Sequence, residues 1–343
     1  MSAGHSLLYF RKGEDMADNK TKKITSIGGS ALIEGIMMRG PKRTTVCVRT
    51  GENDIYSEDV SITTIPEKCK LFKLPFFRGI AGLIDSMRLS YKSLMLSADK
   101  AIESGEIEEE EPSKFEKWLD KVFGDKLVSV LMVLASVLGF AFAIALFFFV
   151  PSLLFDFSAN FIPAFKGEGE LAVFCKSVFE GVLKIVLFLV YIVLCSQMTE
   201  MKRVFMYHGA EHKAIFCYEN EEELTVENVK KQTRFHPRCG TSFMILMLIV
   251  GIVIGLFVPV APFGIGFLRP VIKILLLPVS CGIGYELIKI CGKHDNAFTR
   301  FIAAPGLWAQ RITTKEPDDK MIEVAIKAIT AVIPDDGSDI VSK

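Results

Sequence analysis

The chain has 343 residues, half of them hydrophobic, with 40 lysines and arginines against 40 aspartates and glutamates. That length would suit two soluble domains, but the apolar residues concentrate between positions 127 and 291, in runs too long for ordinary core helices. A net charge of zero, with no Lys/Arg block interleaved with aromatics, argues against a nucleic-acid partner.

The first 23 residues are polar and charged and read as disordered, with no signal peptide, because "SLLYF" is too short and charge follows it. Segments 44–50 and 55–62 alternate and are rich in Thr, Val and Ile around a "GEND" turn, which predicts a β-hairpin; 30–38 is a candidate third strand. After Pro75, Phe76, Phe77, Ile80, Leu83, Ile84, Met87, Tyr91, Leu94 and Met95 fall on one helical stripe. That stripe suits either a core helix or, since Arg78, Arg88 and Lys92 flank it, a helix in the membrane interface. The acidic run 103–112 reads as a solvated linker.

Four apolar spans follow, at 127–155, 171–198, 242–258 and 271–291. The loop 200–241 holds Lys202, Arg203, Lys213, Lys230, Lys231, Arg234 and Arg238, whereas 156–170 holds only Lys166. The positive-inside rule therefore places that loop and both termini in the cytoplasm, with 156–170 and 259–270 outside. Lys176, Glu180 and Lys184 recur every four residues on one face of the second span. They suit either a snorkelling or mutually paired set near the outer surface or a functional polar face. In the tail from 292, Pro317, Asp318 and Asp319 open a helix whose stripe is Met321, Ile322, Ala325, Ile326 and Ile329. The expected fold is thus a mainly α-helical polytopic membrane protein. Its four transmembrane helices carry a small cytoplasmic α+β lobe, formed by the N-terminal hairpin or meander and the C-terminal helix.

Residues 208–212 read "HGAEH". Positions four apart share a helix face, so His208 and His212 can address one ion with Glu211 beside them. As H-x-x-E-H, the pattern is the reversed zinc-protease signature, whose glutamate is the base. The stretch is expected to continue the second span's helix. "HPRCGTSF" adds His236 and Cys239 just before the third span, and Glu286 near the end of the fourth is a further oxygen donor. His294 also falls in cytoplasm-facing sequence. Nitrogen and sulfur donors of this kind point to zinc. Three ligands leave a position for water, and Glu211 as proton acceptor; His236 and Cys239 together close the shell and make the site structural. Without a metal, the same histidines would donate to carbonyls or carboxylates. Neither a Ser-His-Asp arrangement nor a phosphate-cradling loop is present.

The stretches "GGSALIEGIMMRGP", "YHGAEHKAIFCYE", "HPRCGTSF" and "PGLWAQRITTKEPDD" together resemble the YqhQ-like family of bacterial membrane proteins, from Ile27 to Ile329. The resemblance implies a multi-pass protein of the bacterial cell membrane in a family labelled as a predicted metal-dependent enzyme. It also implies that Glu34, Arg39, His208, Glu211, His212, His236 and Cys239 belong to a shared pattern, but it brings no substrate. Glu34 and Arg39 either pair across a tight turn or place Glu34 near the histidines. The expected function is a zinc-dependent hydrolase at the cytoplasmic membrane face. The alternatives are a non-enzymatic scaffold with a structural metal or hydrogen-bonded histidine cluster, and a small transporter, for which four spans are few unless a homo-oligomer forms.

Overall fold

The computed structural model describes residues 23–65, 72, 74, 77–105, 125–162, 169–293 and 296–342. The polar start before Lys23, most of the acidic linker and His294 lie outside these residues.

Strands β1 (Ile24–Thr25), β2 (Gly28–Leu32), β3 (Gly35–Arg39), β4 (Thr44–Arg49) and β5 (Ile55–Asp59) open the chain. The last four form an antiparallel meander in sequence order: the hairpin is present, and the stretch 30–38, expected as one strand, is split by a turn at 33–34 into parts of β2 and β3. Alternation sends neighbouring side chains to opposite faces. Ile36, Met38 and Cys47 face one core, and Met37, Val46 and Val48 face the other.

Helix α1 (Phe77–Glu103) covers the second face through Leu89. Its packed side is built mostly of small or polar residues spaced by four, Ala81, Asp85, Ser93, Ser97 and Ala101, with the apolar Leu89 in the same row. The large apolar stripe points outward instead, with Met87 and Tyr91 65% and 67% exposed. The core-helix reading of this segment is therefore corrected. Small residues allow close approach to the sheet, and the bulky ones are left on the far side.

The apolar region begins with α2 (Asp125–Ile144), a π-helical turn (Ala145–Phe149) and α3 (Val150–Ser158). Pro151 lacks the N–H that a regular helix would use, which accounts for the irregular turn before it. There follow α4 (Glu170–Cys195), α5 (Thr199–Glu219), α6 (Val226–Lys231), α7 (Gly240–Gly255), α8 (Leu268–Leu275) and α9 (Leu277–Lys293). Val137–Ser158 and Glu170–Cys195 are long and apolar enough to cross a membrane. The pair α8 and α9, bent by 45°, makes a third if it is one span, and α7 is shorter. The length criterion supports two or three of the four expected spans.

Charges buried among these helices are paired across elements. Lys176 meets Asp156 at 2.5 Å, and Glu180 lies against Lys273 and, at 3.4 Å, Arg269. Arg269 also donates to the carbonyls of Val258, Pro259 and Gly255, at the C-terminal end of α7. Glu180 thus pairs with α8 and not with the lysines of its own helix. Glu180→Gln is expected to lower the thermal unfolding midpoint in detergent. It leaves two buried cations uncompensated, a change that costs about 3–5 kcal/mol; an unchanged midpoint would show the cluster to be hydrated.

The chain ends with α10 (Ala297–Thr313), α11 (Asp319–Val332) and β6 (Ile340–Ser342). Asp318 caps α11 by accepting from the Met321 N–H at 2.8 Å. The stripe Met321, Ile322, Ala325 and Ile329 packs into the core shared with Ile36, Met38 and α5, so the C-terminal helix docks on the meander as expected. Strand β6 pairs with β1 and ties the two ends of the lobe together.

Candidate metal centre

Helix α5 carries the centre, and it is not a continuation of α4. Ser196 folds its hydroxyl back to the Val193 carbonyl, and Met198 is extended (ψ 138°) before the new helix starts at Thr199. The expectation of one unbroken helix is corrected accordingly: the break lets α5 leave the apolar layer and enter the lobe. There it is enclosed on almost every side, by β2 and β3, by α6 and by α11. A side chain at Gly209 would collide with the Lys315 carbonyl, so the glycine in "HGAEH" permits the tail to cross the helix closely.

His208 and His212 sit one turn apart on α5, with ring centroids 4.4 Å from each other. Cys239, the residue that opens α7, places its sulfur 3.1 Å from His208 Nε2. One donor atom from each of His208, His212 and Cys239 lies within 4.8 Å of the other two. Each imidazole is held through its other nitrogen. His208 Nδ1 lies 2.8 Å from the Thr313 carbonyl and His212 Nδ1 2.6 Å from the Arg234 carbonyl. A carbonyl can only accept, so both Nδ1 atoms carry the proton and both Nε2 lone pairs are left toward the centre.

The electrostatics agree with that assignment. Burial, followed by the neighbouring His208, pushes the His212 imidazolium down to about 4, so the ring is neutral over the physiological range. Burial raises the Cys239 thiol, and the Thr241 hydroxyl, 3.3 Å from its sulfur, opposes that rise. Glu211 is buried against β2, where a Cβ on Gly29 would lie 3.0 Å from its carboxyl carbon. Burial pushes its carboxyl up to about 7, although the Gly29 N–H opposes the rise. Its Oε2 has no hydrogen-bond partner among the described residues, and the same is true of His212 Nε2.

The other expected site residues are placed as follows. His236 stands beside the group, its ring 5.4 Å from that of His212, but its nitrogens face Arg238 (3.2 Å) and Glu219 (3.9 Å). Glu219 is held below the ordinary carboxylate range: burial would raise it, and His236 and Arg238 outweigh that effect. Glu34 occupies the β2–β3 turn in the left-handed region (φ 50°). Arg203 grips it through two nitrogens at 2.5 Å each, and the Tyr207 hydroxyl lies at 3.2 Å. That clamp offsets the backbone strain and fixes the meander on α5 one turn before His208. The turn pairing of Glu34 with Arg39 is corrected, because Arg39 is exposed at the far end of β3. Glu286 forms a two-pronged pair with Arg78 of α1, at 2.8 and 2.7 Å, and is not among the grouped donors.

Two positioning residues lie in the stretch "PGLWAQRITTKEPDD" but were not singled out as site residues. Gln310 of α10 accepts from the His236 N–H and donates to the His236 carbonyl, both at 2.7 Å, which clamps the loop that delivers Cys239. Thr313, at the end of the same helix, orients His208.

A family model described as "Protein of unknown function (DUF1385)" matches residues 74–335. The chain belongs to this family. It is similar to the uncharacterized protein YqhQ of Bacillus subtilis (strain 168), 34% identical over 317 residues, which are 92% of this chain and 94% of that protein. No solved structure matches. The matched region contains His208, Glu211, His212, His236 and Cys239, whereas Glu34 and Arg39 precede it.

Proposed function

We propose that this protein is a zinc-dependent hydrolase of the bacterial cell membrane, working at the cytoplasmic face. The observation that carries the reading is the convergence of two oriented imidazoles and a thiol, with a buried carboxyl on the residue next to His212. His208, His212 and Cys239 would hold the ion, and the donor set fits: unprotonated Nε2 atoms and a cysteine sulfur, one of the nitrogens otherwise an orphan in the protein interior. Three protein ligands would leave room for water on the ion. Zinc bound there supplies Lewis acidity and lowers the pKa of a coordinated water to about 7.

The chain's own contributions are separable. Thr313 and Arg234 fix the tautomers, Gln310 holds the loop, and the close packing around α5 excludes bulk water. Glu211 would be the group that accepts a proton there; a carboxyl that titrates near 7 can both accept and return one. Elemental analysis of the purified full chain should find about one zinc per chain. A metal-free preparation that binds no zinc on titration would remove the proposal.

A second reading is supported by the near-complete burial of His212 and Cys239. In it the zinc is structural and the protein is a scaffold, His236 or another donor closing the shell. The effects of substituting Glu211 and the zinc ligands distinguish the two.

For the membrane arrangement we propose four spans, with α7 and the bent α8–α9 pair as the third and fourth. Both termini and the loop 200–241 would then be cytoplasmic. The concentration of lysine and arginine in that loop supports the orientation. A cysteine introduced at Asn220, exposed just after α5, is expected to add no adduct beyond the parent chain's when intact cells meet an impermeant maleimide. It should add one after permeabilisation; labelling from outside would reverse the topology.

A further inference from the structure

Helix α10 has two unlike sides. Its inner side, Thr299, Gly306, Ala309, Gln310 and Thr313, is buried, and Gly306 packs so tightly that a Cβ there would lie 2.6 Å from Ser242 of α7. Its outer side exposes Phe298 (62%), Phe301 (79%) and Trp308 (66%). At about 100° per residue, Phe298, Phe301, Pro305, Trp308 and Ile312 fall within one sector of about 80°. Arg300 and Arg311, both exposed, share a second sector about 110° away, and the buried residues make up the third. The helix therefore has one face for protein, one of large apolar rings and one of guanidinium groups.

We infer that α10 lies in the headgroup layer of an anionic phospholipid bilayer, with its aromatic sector in the acyl region and its arginines at the phosphates. Three observations select lipid as the occupant. The helix packs beside Ser242, in the first turn of the apolar α7, so its outer face is continuous with the surface of the apolar helices. Tryptophan and phenylalanine beside arginine is the chemistry of the boundary between headgroups and acyl chains. The positive sector matches anionic headgroups. The same helix presents the Thr313 carbonyl to His208 and Gln310 to the His236 loop, so the centre sits within about one helix diameter, roughly 10 Å, of the lipid surface. This holds whether the centre is catalytic or structural.

The chain has two tryptophans, Trp118 and Trp308, which supplies the test. Trp118→Phe leaves Trp308 as sole reporter in the full chain, reconstituted in vesicles of phosphatidylcholine and phosphatidylglycerol. Its emission should be strongly quenched when the phosphatidylcholine is brominated. Bromine high on the acyl chain should quench more than bromine near its end, and aqueous iodide should quench weakly. Quenching by iodide alone would place Trp308 in water, and protection from both quenchers would mean a protein, such as a second copy, covers the face; either overturns the inference. Should Trp118→Phe fail to fold, the difference in quenching between the parent chain and Trp308→Phe gives the same reading. The readout requires neither metal nor activity, so its failure is distinct from failure of the hydrolase proposal.

Discussion

His212→Ala is expected to yield a protein that purifies with almost no zinc, where the parent carries about one per chain. Only His208 and Cys239 would remain as donors, and two ligands hold zinc poorly. Cys239→Ser should behave similarly, because a serine hydroxyl is a poor substitute for a thiolate. His236→Ala provides the contrast. Its nitrogens face Arg238 and Glu219 and not the grouped donors, so the variant should keep its zinc. It should lose stability instead, by about 1–3 kcal/mol, since buried Glu219 gives up a partner. Metal content scored beside thermal unfolding separates the outcomes. Loss of zinc in His236→Ala would make His236 a ligand and favour the closed, structural shell.

The parts of this architecture that were legible in the sequence are those with a local period. Alternation in 44–50 and 55–62 marked β4 and β5, the spacing of Met321, Ile322, Ala325 and Ile329 marked α11, and the i, i+4 spacing of His208 and His212 marked the centre. Cys239 was legible for a different reason: it lies beside a span boundary, and boundaries fix depth. Period, however, does not say which side of a helix is inside. The stripe on α1 was visible, and the structure turns it outward because the small residues spaced by four are what the sheet can approach. Partners far apart in sequence leave no local trace. Glu34 with Arg203 spans 169 positions, where Arg39 was the nearer candidate, and Arg78 with Glu286 spans 208, where the sequence suggested no pairing for either residue. Helix α10 escaped notice because Pro305 and Gly306 interrupt its pattern, while its burial is set by one tight approach to Ser242.

Glu211→Gln is expected to keep the zinc and the fold and to abolish function, read as failure to complement a strain lacking the gene. The amide has nearly the volume of the carboxyl, so its packing against Gly29 is preserved. Burial already holds the native carboxyl near neutrality, so replacing it with a neutral group imposes no new desolvation cost. What disappears is the ability to take up and return a proton, a function worth about 10²–10⁴-fold in rate for a positioned general base. In a structural site the same substitution should be nearly silent, because Glu211 is not among the three grouped donors. Glu211→Ala is the weaker test, since it also opens a cavity beneath β2 and mixes a packing loss with a chemical one. Zinc-loaded Glu211→Gln protein that complements fully would sink the hydrolase reading and leave a metal-stabilised scaffold; zinc-loaded protein that fails, beside a His236→Ala variant that retains its metal, would establish an open site with Glu211 as its base.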